Sequence, residues 1–324
     1  MTKLGQFMSD WPTTKKGEEM KLAKLMGGLS ILALMASPAL AEDKIKIGFI
    51  TKFPVPFFAT MEDAAKAYAA AHPEVEITFG QGKSATDIEG QIALIESMVT
   101  QGVKGIALTP VDPTVAAALD KAVAAGVKVV LMDNNIPDWN GLTALATTDN
   151  YAAGKIAGEY LKTKLKAGDT LGILEGVPGV PALDDRVNGM LEGLKGVDVK
   201  IVGKGTTKCT EELGISVTED LLTSNAHLKS IYSACGPPAA GAAQAIKNAG
   251  ISPDDIVLVG FDFCCGEKEA LESGIEDATV AQFPTKMSEL GVDALVKAIK
   301  GEKVESLIDS GAALVTKENM AEFN

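Results

Sequence analysis

The sequence predicts an α/β protein made of two doubly wound halves whose sheet edges face each other across a ligand cleft. Three observations carry this. Short apolar runs alternate with alanine-rich amphipathic stretches, glycines stand where helices should stop, and the whole pattern begins again halfway along the chain. The first half offers strands over 45–50, 75–79, 105–108, 127–132 and 142–146. Helical periodicity fills 58–71, 87–101 and 113–125 between them. Each strand run is apolar throughout, as a parallel strand covered on both faces requires. Gly102 and Gly126 fall where a left-handed residue ends a helix. The second half repeats the scheme, with strands over 170–174, 199–203, 230–233, 256–261 and 279–282. Its helices span 184–194, 211–224, 238–249 and 267–273. Open sheets of this kind bind ligands outside the C-terminal ends of their strands.

Composition narrows the function. Forty-three acidic residues against 30 basic ones give a net charge of −13 over 324 residues, the wrong sign for neutralising nucleic-acid phosphates. A hydrophobic content of 46% is too high for a disordered chain. One long apolar stretch exists, over 22–40. It follows Met20-Lys21-Leu22-Ala23-Lys24 and ends Ser37-Pro38-Ala39-Leu40-Ala41. A positive start, a short apolar core and an A-x-A end read as a secretory leader beginning at Met20 and cut after Ala41. Gly27, Gly28, Ser30, Ser37 and Pro38 interrupt a segment already short for a bilayer, against the anchor alternative. The mature chain is then expected to be exported.

Familiar reaction machinery is missing. Gly203-Lys204-Gly205 lacks the rest of a phosphate-binding loop, neither G-x-S-x-G nor H-E-x-x-H occurs, and there are two histidines. Cys209, Cys235, Cys264 and Cys265 show no zinc spacing, so no metal and no cofactor are expected. After export they permit disulfides, with three possible connectivities.

The strand ends hold the candidates. The first strand runs into Phe57-Phe58, which serves either as core or as an aromatic platform for the C–H face of a sugar. The fourth ends Met132-Asp133-Asn134. Asp133 is either a turn former or an acceptor for two ligand hydroxyls, and Val259-Gly260-Phe261-Asp262 repeats that choice in the second half. Arg186, read as opening the first helix of that half, either pairs with Asp184 or Asp185 or aims a planar donor at the ligand. Trp139, in Pro137-Asp138-Trp139-Asn140-Gly141, reads as a surface aromatic capping a turn; at the cleft edge its emission would report closure.

These pieces together resemble a known family. In order they are Pro56-Phe57-Phe58, Thr109-Pro110-Val111-Asp112, Asp133, Thr148-Asp149-Asn150 before Gly154-Lys155, Arg186 ahead of Gly189, Val259-Gly260-Phe261-Asp262, and Ala281-Gln282-Phe283-Pro284. The chain from 44 to 324 is similar to periplasmic solute-binding proteins of the ribose/galactose type, which serve ABC transporters. The resemblance implies three chain crossings forming a hinge near Thr147, Phe283 and Gly311. Lobe one is then 44–147 plus 283–311, and lobe two 148–282 plus 312–324. It places Phe57 and Phe58 on an aromatic clamp, Asp133 and Asp262 on hydroxyl acceptors, Arg186 on the donor and Gln282 on a hinge-adjacent amide. Asn134 stands at a ligand position where ribose-binding relatives carry arginine. Cys209 replaces an aromatic there, Cys235 an asparagine, and Val55 another asparagine. Ribose is therefore not the expected ligand; another monosaccharide, a deoxy sugar or a polyol is. The implied partner is an inner-membrane permease, and the implied state a periplasmic monomer.

Two alternatives share the sequence: a periplasmic sugar adaptor for chemotaxis or signalling, and an exported carbohydrate hydrolase using Asp133 and Asp262 as its carboxylate pair. Two pairings of the cysteines fit the resemblance. One joins Cys209 to Cys235 and leaves a vicinal Cys264–Cys265 bridge, with sulfur forming a flat apolar wall. The other ties Cys235 and Cys209 to Cys264 and Cys265.

Overall fold

In the computed structural model, which describes residues 44–323, the repeated pattern becomes two sheets flanked by helices. The first half supplies β1 (Ile45–Thr51), α1 (Pro56–Ala71), β2 (Val75–Gln81), α2 (Ile88–Thr100), β3 (Gly105–Leu108), α3 (Ala116–Ala124), β4 (Lys128–Met132) and β5 (Ala144–Thr147). The second supplies α4 (Asn150–Lys164), β6 (Thr170–Glu175), α5 (Pro181–Gly193), β7 (Lys200–Thr206), α6 (Glu211–Ser224), β8 (Ser230–Ser233), α7 (Gly236–Asn248), β9 (Val257–Asp262), α8 (Glu267–Ser273) and β10 (Ala278–Gln282). The chain ends with α9 (Pro284–Ile299), β11 (Leu307–Asp309) and β12 (Ala312–Thr316). The leader expected between Met20 and Ala41 lies outside the described residues.

One sheet runs β11-β5-β4-β3-β1-β2 and the other β12-β10-β9-β8-β6-β7. Apart from β11 and β12, both carry the same doubly wound order, with a reversal between β1 and β3 and between β6 and β8. All pairings are parallel except β10 with β12. Central strands such as β3 and β8 are buried at every residue, as their apolar runs require. The edge strands β2 and β7 depart from that expectation, because no strand covers their outer side and their residues are mostly half-buried or exposed.

Several elements differ from the sequence reading. The run 113–125 divides into a 3₁₀ turn, Pro113–Val115, and α3, because the Asp112 carboxylate accepts the Thr114 N–H at 2.8 Å. Helix α4, absent from the sequence pattern, precedes α5, so Arg186 lies in the second turn of the second helix of its half, not at the start of the first. Gly154 and Gly158 weaken the apolar stripe of α4 but serve a close approach. A Cβ at Gly154 would strike the Arg186 carbonyl, and one at Gly189 the Tyr151 carbonyl. The two helices thus meet backbone to backbone, and overpacking at such a contact costs about 1–3 kcal/mol. Helix α9 is likewise absent from the sequence pattern. It follows β10 of one sheet yet packs against α1 and β4 of the other, burying Met287, Val292 and Leu295 in the first core.

The chain passes between the sheets at three places. Thr147 ends β5, Phe283 precedes α9, and Gly311 separates β11 from β12 with φ +85°, a value that suits glycine. Hydrogen bonds tie two of them together: Ser310 N–H donates to the Thr147 carbonyl at 2.9 Å, and the Thr148 hydroxyl donates to the Gly311 carbonyl at 3.2 Å.

Candidate ligand-binding site

A cavity opens where the C-terminal edges of the two sheets face each other, beside both strand-order reversals. All residues singled out as ligand candidates line it: Phe57, Phe58, Asp133, Asn134, Arg186, Cys209, Cys235, Asp262 and Gln282. The first sheet adds Lys52, which follows β1 directly and which sequence reasoning passed over for the aromatics beside it. Its position was the available signal, since charged residues at the mouth of a parallel strand face the ligand side.

Phe53, Phe57 and Phe58 form an edge-to-face cluster, with Phe53 and Phe57 5.3 and 5.4 Å from Phe58. Phe57 and Phe58 are nearly buried in the core as well as lining the cavity, so they serve in both capacities. Asp133 leaves β4 with φ +64°, which turns the chain at the sheet edge. The Thr147 hydroxyl donates to its carbonyl at 2.7 Å, linking the site to the first crossing. Its carboxylate lies 3.7 Å from the Lys52 ammonium, with side-chain exposures of 10% and 13%. Burial pushes the Asp133 carboxyl up and the Lys52 amine down, and their mutual attraction offsets part of each shift.

The second sheet holds a tighter group. Arg186 does not pair with Asp184 or Asp185. Its Nη1 donates to Asp262 Oδ1 at 3.1 Å and to the Ala234 carbonyl at 2.9 Å, and its Nε donates to Asn150 Oδ1 at 2.8 Å. The guanidinium lies over the Phe261 ring, 3.9 Å from the ring centre. Asp262, with φ +87°, also accepts the Gln282 amide at 2.6 Å and the Gly236 N–H at 3.0 Å. Gln282 Oε1 is buried with no partner among the described residues, leaving an acceptor beside the cavity.

Two disulfides complete the wall. Cys209 pairs with Cys235, and Cys264 with its neighbour Cys265, the first of the two pairings considered. Behind them lies Glu267, fully buried in the first turn of α8. One of its oxygens accepts the Cys265 N–H at 2.5 Å and the other has no partner among the described residues. Burial raises its pKa to about 7. Glu276, buried before β10, is pushed well above the usual carboxyl range by burial and then by the charge of Glu267. Trp139 stands apart from the cavity. Its indole N–H donates to Asp120 at 2.7 Å, and the ring packs on the cluster beneath α2 and α3.

Comparison with known proteins settles the family. Residues 47–303 match the model of the periplasmic binding protein domain. The chain belongs to that family. This periplasmic binding protein is 31% identical over 300 residues to a D-ribose/D-allose-binding protein of Pseudomonas aeruginosa, covering 89% of this chain and 93% of that one. An ABC transporter solute-binding protein from Agrobacterium vitis with bound D-fucose superposes with a TM-score of 0.81 at 32% identity, covering 85% and 96% of the two chains. A solute-binding protein from Burkholderia graminis in complex with D-arabinose gives 0.81 at 28% identity, covering 86% and 98%.

Proposed function

We propose that this periplasmic binding protein captures a monosaccharide or polyol between its two sheets and delivers it to the inner-membrane permease of an ABC importer. It binds its ligand and does not convert it. The observation that carries the reading is the matched pair of strand-end aspartates, Asp133 and Asp262, which face one cavity beside the Phe57–Phe58 platform. Carboxylates accept hydroxyl protons in charge-assisted bonds, and an aromatic face takes the C–H side of a sugar. Lys52, Asn134, Arg186 and Gln282 complete the polar edge. The relatives that bind ribose, allose, fucose and arabinose support a sugar as ligand.

The distribution of strands supports lobes of 44–147 plus 283–311 and of 148–282 plus 312–324, with Thr147, Phe283 and Gly311 as the hinge. A ligand gripped by Asp133 on one side and Asp262 on the other favours the closed arrangement by its extra affinity for it. The protein acts in the periplasm, after removal of its leader at Ala41, as a monomer.

A thermal-shift screen of residues 42–324 against pentoses, hexoses, deoxy sugars, amino sugars and polyols tests this. A ligand that binds only the folded state raises Tm by mass action. We expect a shift with one or a few sugars, lost in Arg186→Ala. No shift with any of them, in protein shown by mass spectrometry to carry no retained ligand, would overturn the sugar reading.

A further inference from the structure

We propose that the bridged sulfurs of Cys209–Cys235 and Cys264–Cys265, together with Val177, Val180 and Leu183, select a deoxy sugar, one in which hydrogen or a methyl group replaces a hydroxyl or hydroxymethyl. The inference rests on the sugar-capture reading above and names the ligand class of that site.

The cavity is two-sided. Its hydrogen-bonding groups belong to Lys52, Asp133, Asn134, Arg186, Asp262 and Gln282. Two cations face two carboxylates, a balance that suits a neutral ligand and disfavours uronic acids and amino sugars. The loops following β6 and β7 and the end of β8 supply the other wall, and it is apolar. A Cβ added at Gly176 would lie 2.5 Å from Leu183 Cδ1, 3.0 Å from Cys235 Sγ and 3.1 Å from Cys209 Sγ. The bare glycine, the leucine and the bridge therefore form one continuous surface. Leu183 and Arg186 stand three residues apart on α5, so one helix face presents apolar wall and donor to the same cavity. Cys264 and Cys265 extend the sulfur surface next to Asp262.

A disulfide has no S–H to donate, and its sulfurs accept hydrogen bonds weakly. A hydroxyl pressed against this wall gives up water and finds no partner, whereas hydrogen or methyl loses nothing and buries apolar surface. One such exchange changes affinity by about tenfold or more. Val177, Val180 and Leu183 are only half-buried, so polar replacements there leave the core intact.

Calorimetric titration of the oxidised full chain with matched sugar pairs tests the proposal. Suitable pairs are D-fucose and D-galactose, L-fucose and L-galactose, L-rhamnose and L-mannose, and 2-deoxyribose and ribose. We expect the deoxy member of at least one pair to bind about tenfold or more tightly than its partner. In Leu183→Asn, and in the double variant Cys209→Ser/Cys235→Ser, the ratio should fall below about threefold. If the double variant fails to fold, Leu183→Asn with Val180→Thr decides. Hydroxylated partners that bind as well as or better than the deoxy sugars in every pair would overturn the inference and leave sugar capture standing. Absence of binding by every sugar, in protein free of retained ligand, would overturn both.

Discussion

Asp133 and Asp262 end equivalent strands of the two sheets, and both adopt left-handed backbone, with φ of +64° and +87°. Their surroundings differ. Asp262 is held by Arg186, Gln282 and the Gly236 N–H, whereas among the described residues the Asp133 carboxylate has one ion-pair partner, Lys52, at 3.7 Å. Protein donors take up more of the acceptor positions of Asp262 than of Asp133. The two aspartates differ in role: Asp262 ties together α5, α7 and β10 beside the second sheet as well as facing the cavity, and Asp133 faces mainly the cavity.

Asp262→Asn should therefore show the largest effect. Asparagine keeps one acceptor oxygen, so its NH2 must face either the Gly236 N–H or both the Arg186 and Gln282 donors, and Arg186 loses its counter-charge. Breaking such a buried pair costs about 3–5 kcal/mol. The ligand-free Tm should drop, and affinity should fall at least about 100-fold. Asp133→Asn should lower the ligand-free Tm by less than Asp262→Asn does, since it removes one 3.7 Å ion pair rather than a set of three hydrogen bonds, and cost about tenfold in affinity. Equal losses of Tm in the two variants would erase the contrast.

The second half-site also carries a pH dependence. Glu267 lies behind the second half-site, and its carboxyl is raised to about 7 in the folded chain. The folded state then binds the proton more tightly than the unfolded one, so the contribution of Glu267 to stability is fully present below about pH 4.5. It declines as pH rises from about 4.5 to about 7, by up to about 3 kcal/mol. Glu267→Gln should raise Tm at pH 8 and leave it unchanged near pH 4.5. A gain of equal size at both pH values would show that the charge is not responsible.

The smallest effect expected is at Trp139. Because its indole is tied to Asp120 away from the cavity, its emission should stay constant when sugar saturates the protein. A shift in emission maximum would place closure movements in the β4–β5 loop.

The repeated α/β pattern and the strand-end carboxylates were legible in the sequence because both depend on local alternation: apolar runs buried in parallel sheets, and a polar residue where each run stops. What was not legible depends on partners distant in the chain. Helix α4 reads as weak until α5 supplies the backbone that makes Gly154 and Gly158 necessary. Helix α9 reads as belonging to the strand before it, yet its apolar face fits the other sheet. The choice of Asp262 over Asp184 and Asp185 as partner of Arg186 needed the fold, since 76 residues separate them. Lys52 was hidden for another reason: the phenylalanines next to it carried the stronger signal.

The late return of the chain to its first sheet bears on how the protein is made. Helix α9 and β11 come from residues 284–309, yet α9 covers the core formed by β1, β3 and β4, and β11 pairs with β5. A nascent chain that has completed β5 still lacks the helix that shields Ile47, Ala107 and Val130. The second sheet likewise waits for β12 to close beside β10. Neither sheet is complete until residues beyond 284 are in place, so closing both cores depends on contacts of long sequence separation. A stop shortly before residue 284 would remove no residue of the first five strands and would still leave their core open to water.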